Sequence, residues 1–514
     1  MRRLASLVLL LFCVDSSSVV NSAAEDDELL RAWRGSHLCK GAVPRTPGSA
    51  TGIEMEELTI ARDGVARTVF YALNKSGGGD SYDVVFESGP ARVQPEIVDN
   101  CDGSYEMSAR LLEAGNYSWK LRLQWEGNEG LDERLDPSWG EPLRQGEGLW
   151  LKEKWRVKVR EEDVRIPRDS CEGYDHPSRY VDVPPRGRVG SVYEDLWKKH
   201  RDDVFGIEDP ADTWLTNWRP IDCLLSPKKK KKAPLAGKTI VFLGDSTLRI
   251  FFANFLQLAM GVRIRSCGPD HVATQHPCMC HGSFLLRLPT TVASDTCASL
   301  ECVSLEDIDR KVSSKEERPP FKNETLFVYA FTSFADCTSV NEYPDLLKKC
   351  EKVSGTKAQL LQSFKALLPA ADVVVSNLGE HVTLRGGLPG CLRATRHWLP
   401  VIADLSRKAK GRFLLDSQPV PYTASEHLGE DTKAGVGIRK GNNARVRACN
   451  DLQRHLLSDD DHTKNSTLAK HWTFVSGRFD AAWLAPEWHE KNVHYIASPV
   501  VNTLKRAILD TFAS

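Results

Sequence analysis

A serine near the middle of the chain has the local setting that covalent acyl transfer requires. Ser246 follows the apolar run 239–243 within the sequence Gly-Asp-Ser, and a helix-like stretch, 248–258, comes directly after it. A strand that runs into such a turn places the serine at the carboxyl end of a sheet strand, where α/β folds bind ligands. The N-terminus of the following helix offers free N–H groups to a developing oxyanion. The same pattern alone also fits an ordinary turn with a helix cap.

Three segments around this serine resemble the opening of the PC-esterase branch of the GDSL/SGNH superfamily. They are residues 217–223 (Asn-Trp-Arg-Pro-Ile-Asp-Cys), 235–238 (Leu-Ala-Gly-Lys) and 244–249 (Gly-Asp-Ser-Thr-Leu-Arg). That branch contains the trichome-birefringence-like plant polysaccharide O-acetyltransferases, fungal capsule O-acetylation proteins and the neurexophilin-and-esterase family. The resemblance implies an SGNH-hydrolase-like three-layer α/β domain with Ser246 as the nucleophile, and Asp245 and Arg249 as residues that contact substrate or support the site.

The resemblance also implies the remaining parts of the site. Asn377, in the sequence Ser-Asn-Leu-Gly, matches the asparagine that helps to form the oxyanion hole, together with the backbone N–H of Ser246. Gly268 is the candidate for a further backbone donor. His494, in Asn-Val-His-Tyr, matches the base that takes the serine proton and returns it to the leaving group. His489 is a less favoured alternative base.

The acid partner of the histidine departs from the family pattern. The family has an aspartate three residues before the histidine, and this chain has Lys491 there. A carboxylate normally orients the imidazole and stabilises its cation. Glu490 and Asp480 are the candidates for a relocated acid. The departure is equally compatible with a Ser-His dyad or with an inactive homologue.

Two different patterns divide the chain into regions. Between residues 48 and 164, short β-rich runs are separated by Gly, Asn and Asp turns, which is typical of an antiparallel sandwich. The turn at 99–105 and the strand after it resemble filamin-type immunoglobulin-like repeats, and a generic β-sandwich turn is the alternative. From residue 235, apolar runs at 239–243, 325–330 and 372–376 alternate with helical patterns at 248–258, 357–368 and 399–409, which indicates a parallel sheet covered on both faces. We predict an immunoglobulin/filamin-like β-sandwich over 45–165, an interdomain connection over 166–210 and the SGNH/PC-esterase acyl-transfer domain over 211–514.

The N-terminus predicts entry into the secretory pathway. Arg2 and Arg3 precede an apolar run over 4–14 and a small-residue stretch that ends at Ala24, so residues 1–24 have the pattern of a signal peptide. An uncleaved anchor extended through Val20 is the alternative. Sequons for N-glycosylation agree with this route, and they lie at Asn74, Asn116, Asn323 and Asn465. The predicted location is secreted or in the lumen of the Golgi or endoplasmic reticulum.

Composition narrows the classes of partner. The net charge of −1 gives no electrostatic case for nucleic acid binding. The lysine run 228–232 is predicted to be a solvated loop, with a weak polyanion contact as the alternative. Fourteen cysteines in an oxidising compartment favour disulfides. No metal is therefore expected, although the cluster of Cys267, Cys278, Cys280 and His281 has residue types that bind zinc.

These features together predict a serine-dependent O-acyltransferase that acts on glycan hydroxyls through an acyl-enzyme at Ser246. No bound cofactor is expected. An acyl donor would be a co-substrate, and an acetyl-CoA-derived group is one candidate for it. A membrane-bound subunit is a candidate supplier of the acyl group. A secreted glycan O-acyl esterase is the first alternative, because it differs only in whether water is excluded at the second step. A catalytically silent glycan-binding or receptor-ligand glycoprotein is the second.

Overall fold

The fold is taken from a computed structural model, which describes a part of each predicted region. The described residues are 53–61, 63–72, 81–100, 102–125, 149–169, 171, 178–181, 218–223, 235–260, 262–264, 282–289, 297–298, 300–305, 307–313, 324–332, 362, 364–365, 367–378, 391, 394–395, 398, 401–402, 404–416, 443–458, 472–475 and 502–513. The predicted signal peptide and the lysine run lie outside these residues.

Two antiparallel sheets form the N-terminal region. The strands of this region are β1 (Ile53–Met55), β2 (Thr59–Ile60), β3 (Val65–Ala72), β4 (Ser81–Ser88), β5 (Ala91–Arg92), β6 (Glu96–Asp99), β7 (Ser104–Arg110), β8 (Gly115–Trp125) and β9 (Leu149–Val159), of which β5 belongs to a third sheet. One sheet has the order β1-β3-β7-β6, with β2 paired to β3, and the other has the order β4-β8-β9. A short 3-10 helix, Glu161–Asp163, follows β9.

Aromatic side chains from both sheets build one core. The ring of Phe70 on β3 lies 5.2 Å from that of Tyr105 on β7, 5.0 Å from that of Tyr82 on β4 and 5.4 Å from that of Trp155 on β9. Such rings bury a large apolar area in well-defined geometries. The two sheets therefore pack face to face, as sheets in a sandwich do. The likeness to immunoglobulin or filamin domains stays a prediction.

A small third sheet connects later residues to this region. Strand β10 (Ser178–Val181) pairs with both β5 and β11 (Trp218–Pro220). A disulfide joins Cys171 to Cys223, and Ile221 packs against the sandwich core. Residues 218–223 fall within the range predicted for the acyl-transfer domain, and their described contacts are with residues of the predicted connection 166–210 and, through Ile221, with the sandwich core.

A mostly parallel sheet dominates the rest of the chain. Its elements and their neighbours are β12 (Thr239–Gly244), α1 (Ser246–Met260), β13 (Arg263–Ile264), β14 (Ser283–Pro289), β15 (Cys297–Ala298), β16 (Glu301–Val303), α2 (Asp307–Ser313), β17 (Glu324–Phe331), β18 (Val373–Ser376), β19 (Arg412–Asp416), α3 (Asn443–Ser458), β20 (Trp472–Val475) and α4 (Asn502–Ala513). The sheet order is β16-β14-β17-β12-β18-β19-β20. Strands β17, β12, β18, β19 and β20 are parallel, whereas β14 and β16 form an antiparallel edge. Strands β13 and β15 form a separate parallel pair.

Helices cover both faces of this sheet. On one face Phe242 of β12 packs with Phe252 of α1 and Ile508 of α4 in a single apolar cluster. On the other face Leu243 of β12 belongs to a cluster that includes Leu452 of α3. Strand β12 is buried along its whole length, as expected for a strand with helices on both sides. Its carboxyl end is therefore fixed by packing on two sides.

The predicted elements of this region are found where the structure describes them. The strands expected over 239–243 and 325–330 lie within β12 and β17, and the helix expected over 248–258 lies within α1. Within the helix expected over 399–409, residues 404–408 are helical. Most of the helix expected over 357–368 lies outside the described residues, and a 3-10 helix, Leu368–Ala370, begins at its end. None of the helices that the structure describes is long and apolar enough to cross a bilayer.

Candidate functional site

The local fold sets Ser246 at the start of a helix and next to the end of a central strand. Strand β12 ends at Gly244, one residue intervenes, and Ser246 is the first residue of α1. The strand lies between β17 and β18, both parallel to it. The first residues of a helix have N–H groups without intrahelical acceptors. The end of β12 therefore has the geometry in which an α/β sheet binds a ligand against a helix N-terminus.

Asp245 is the N-cap of this helix. Its Oδ1 accepts hydrogen bonds from the backbone N of Thr247 at 3.0 Å and from the Thr247 hydroxyl at 2.6 Å. Its backbone oxygen accepts a hydrogen bond from the N of Arg249 at 3.2 Å. The carboxylate is fully buried, and a cap of this kind contributes about 1 kcal/mol. These contacts explain the aspartate of the Gly-Asp-Ser sequence as a support for the helix that begins at Ser246.

Asn377 reaches the same helix from the neighbouring strand. It follows β18, and its backbone N donates to the oxygen of Leu243 at 3.1 Å, which continues the pairing of β18 with β12. Its Nδ2 lies 3.2 Å from Oγ1 of Thr247. The side chain is fully buried, and Oδ1 has no hydrogen-bond partner among the residues that the structure describes. The structure therefore brings together the predicted nucleophile's helix and the predicted oxyanion-hole asparagine.

Gly244 is required by this close approach. A Cβ on Gly244 would overlap Oδ1 of Asn377 and would lie 2.9 Å from Cδ2 of Leu248. Any other residue would push the asparagine away from β12. The glycine of the Gly-Asp-Ser sequence is therefore required for a steric reason, which the sequence alone did not reveal.

Tyr329 is a site residue that the sequence analysis did not single out. It lies on β17, and its hydroxyl is 3.0 Å from the oxygen of Gly244 and 2.7 Å from the oxygen of Asp245. Burial raises the pKa of Tyr329 well above its ordinary value; the positive charge of Arg249 opposes this shift, and the negative charge of Asp245 adds to it. The hydroxyl therefore stays protonated and holds the backbone that leads into Ser246. A tyrosine inside a buried strand was the available signal, because its hydroxyl needs a partner.

Arg249 lies one turn into α1 and is almost completely buried. Its guanidinium carbon is 5.8 Å from the centre of the Phe331 ring at the end of β17. An arginine keeps its charge when buried and interacts favourably with an aromatic face. The described contact supports the end of the sheet and adds positive charge near the helix N-terminus. A contact with substrate stays a prediction.

Several predicted site residues lie outside the described residues. They are the base His494, its alternative His489, the acid candidates Glu490 and Asp480, Lys491, and the backbone donor Gly268. The convergence of His494 with Ser246 therefore stays a prediction. Of the predicted glycosylation sites, Asn116 is exposed on β8, whereas Asn74, Asn323 and Asn465 are outside the described part of the chain.

The prediction of disulfides is confirmed for part of the cysteines. Besides the pair Cys171–Cys223, a buried disulfide joins Cys391 to Cys449 on α3, and Cys302 is also disulfide-bonded. Among the described residues, no group of three or more histidine, cysteine, aspartate or glutamate side chains is arranged to hold a metal ion. The cysteines of the cluster that begins at Cys267 lie outside those residues.

Comparison with known proteins adds little to this geometry. No protein-family model matches the chain. Among solved structures, it is similar to the enterobactin esterase from Shigella flexneri, crystallised in the presence of 2,3-di-hydroxy-N-benzoyl-serine. The identity is 11%, the TM-score is 0.19, and the match covers 90% of this chain and 96% of that chain. A TM-score of this size does not establish a common fold.

Proposed function

We propose that the chain is a serine-dependent O-acyltransferase of the SGNH type that acts on glycan hydroxyls in the secretory pathway. The observation that carries the proposal is the contact of Asn377 Nδ2 with Oγ1 of Thr247, in the first turn of the helix that Ser246 begins. It supports an oxyanion site between the end of β18 and the N-terminus of α1. Donors fixed in this way stabilise the charge that develops on an acyl oxygen in the transition state.

The reaction would proceed by double displacement. The oxygen of Ser246 attacks the carbonyl carbon of the donor, and His494 takes the hydroxyl proton. The bond to the donor's leaving group breaks, the leaving group receives that proton, and the acyl group remains on Ser246. A sugar hydroxyl then attacks the acyl-enzyme, and His494 takes its proton and returns it to the serine oxygen. Glu490 or Asp480 would orient the imidazole.

Hydrolysis of glycan O-acyl esters is a second function that the same residues support. With water as the acceptor, the second displacement releases the free acid. Hydrolysis uses the same protein groups as transfer. The disulfides of the described residues favour an oxidising compartment for either reaction. An acyl-donor subunit in the membrane is part of the transferase proposal only.

Covalent labelling with a fluorophosphonate tests the proposed chemistry. The wild-type protein should be labelled, and peptide mass spectrometry should locate the label on Ser246. Ser246→Ala should abolish labelling, and Ser283→Ala should not. Ser283 is a suitable control because it is a buried serine, on β14, whose Oγ accepts a hydrogen bond from the N of Phe331 at 3.2 Å. Absence of labelling in folded wild-type protein would contradict the proposal.

Product analysis separates transfer from hydrolysis. The protein is given an acetyl donor together with a glycan acceptor, and acetylated glycan is measured against free acetate. The transferase proposal predicts acetylated glycan as the main product. Free acetate alone, with labelling at Ser246 intact, would favour the esterase.

A further inference from the structure

The hydroxyl of Thr247 connects the helix cap to the predicted oxyanion-hole asparagine. Its Oγ1 lies 2.6 Å from Oδ1 of Asp245 and 3.2 Å from Nδ2 of Asn377. All three side chains are buried, with exposed fractions of 0%, 1% and 0% for Asp245, Thr247 and Asn377. The three polar groups therefore form a short hydrogen-bonded chain inside the protein.

The direction of each hydrogen bond among these three side chains follows from the donors and acceptors available. Oδ1 of Asp245 already accepts the backbone N–H of Thr247, so it also accepts from the Thr247 hydroxyl, whose single proton is directed to it. The threonine oxygen is then left as an acceptor. It accepts a hydrogen bond from the amide of Asn377, which must therefore direct its Nδ2, and not its Oδ1, towards Thr247.

A reversed amide would be unfavourable while this hydroxyl is present. It would set Oδ1 of Asn377 against a threonine oxygen whose proton is already donated to Asp245. In the observed orientation Oδ1 lies against Gly244, where a Cβ would overlap it. One hydrogen of Nδ2 is used by Thr247, and the second hydrogen of the NH₂ group remains for another acceptor.

We propose that Thr247 is a positioning residue that fixes the orientation of the Asn377 amide, so that Asn377 presents an N–H and not a carbonyl oxygen to the acyl oxyanion. This inference rests on the proposed function, because it assigns the amide to the oxyanion of that reaction. A carbonyl oxygen in the same place would repel the developing negative charge. Loss of an oxyanion-hole donor costs about 10²- to 10³-fold in rate.

Substitutions at Thr247 separate the hydroxyl from the rest of the side chain. Thr247→Val keeps the β-branched shape and removes the hydroxyl, whereas Thr247→Ser keeps the hydroxyl. The readout is the second-order rate at which a fluorophosphonate labels Ser246 in the full chain. We expect Thr247→Val to lower this rate by about 10- to 100-fold, since the amide would lose its fixed orientation but not its donor group. Thr247→Ser should restore most of it.

Thr325→Val is the matched control for the loss of a buried threonine hydroxyl. Thr325 is fully buried at the amino end of β17, and its Oγ1 donates to the oxygen of Leu235 at 2.7 Å. We expect it to lower the free energy of unfolding, as loss of such a hydrogen bond does. The labelling rate should not change, because Thr325 lies at the opposite end of the strand from the site.

A double-mutant cycle with Asn377→Ala shows whether Thr247 acts through the asparagine. Once the amide is gone, Thr247→Val should change the labelling rate by no more than about 3-fold, because contacting residues give strongly non-additive effects. A loss as large as in the wild-type background would overturn the inference and assign the effect to the helix cap instead. Equal labelling of Thr247→Val and wild type would also overturn it. If folded wild-type protein is not labelled, the proposed function fails and the inference fails with it. If the wild type is labelled and Thr247→Val gives either of the two contrary results, only the inference fails.

Discussion

No side chain fits on Gly244, because a Cβ there would overlap Oδ1 of Asn377. The two residues are far apart in the chain, and the parallel pairing of β12 with β18 brings them into contact. The site therefore depends on the register of two strands as well as on the Gly-Asp-Ser sequence.

The first prediction concerns this steric contact. Gly244→Ala should lower the free energy of unfolding by about 1 to 3 kcal/mol, as overpacking of a core does. In an Asn377→Ala background the cost should be clearly smaller, because the overlapping atom is gone and Leu248 can shift its side chain. Urea unfolding of the four proteins measures both values. Equal costs in the two backgrounds would contradict the contact.

The second prediction concerns the hydroxyl of Tyr329. Tyr329→Phe should destabilise the protein by about 1 to 2 kcal/mol, because it leaves buried carbonyls of Gly244 and Asp245 with fewer donors. It should also slow fluorophosphonate labelling, since the backbone before Ser246 is held less firmly. Tyr117→Phe is the matched control, because the Tyr117 hydroxyl is 3.0 Å from the oxygen of Glu113 in the sandwich. If both variants slow labelling equally, Tyr329 has no special role in the site.

The third prediction concerns acid stability of the sandwich. Burial raises the pKa of Glu87, but hydrogen bonds from Lys154, Ser118 and Lys120 outweigh this effect and lower it to about 2. A depressed carboxyl pKa contributes stability above the unfolded pKa, near 4.5, which is lost as the pH falls from there to about 2. We expect this contribution to be about 1 to 2 kcal/mol, because the lysines are partly exposed and solvent screens the pairs.

Glu87→Gln provides the control for that pH dependence. The variant should be less stable than wild type at pH 7, and the difference should shrink as the pH falls below about 4.5. Chemical unfolding monitored across this range measures the difference. A difference that does not change with pH would show that Glu87 contributes by packing and not by charge.

The fourth prediction concerns the acid partner of His494, which the sequence leaves open between Glu490 and Asp480. One of the two substitutions Glu490→Gln and Asp480→Asn should slow labelling of Ser246 by up to about 10⁴-fold. The other should have little effect. The rate of fluorophosphonate labelling measures both. If neither substitution slows labelling, a Ser-His dyad replaces the triad in this account.

Local sequence was sufficient to predict the strand and helix on either side of Ser246. The continuous apolar run before Gly244 indicates a buried strand, and the spacing of apolar residues after Ser246 indicates a helix. Strand β12 and helix α1 are found there. Asn377 was found only through the resemblance, because an asparagine after an apolar run is common in turns.

The contacts that position the site could not be predicted, because they depend on strand order. Tyr329 reads as one more apolar position of its strand until β17 is known to lie beside β12. The link between Thr247 and Asn377 requires in the same way that β18 be the other neighbour. The pairing of residues 218–220 with β10 is non-local in the same way.

Acetylation of Ser246 tests the central claim most directly. The full-length protein is incubated with an aryl acetate, quenched in acid and analysed by peptide mass spectrometry. The account predicts one acetyl group on the peptide that contains Ser246, and none on that peptide in folded His494→Ala protein, because the hydroxyl is inert without its base. Folded wild-type protein without acetyl on Ser246, or acetate release that survives Ser246→Ala, would contradict it.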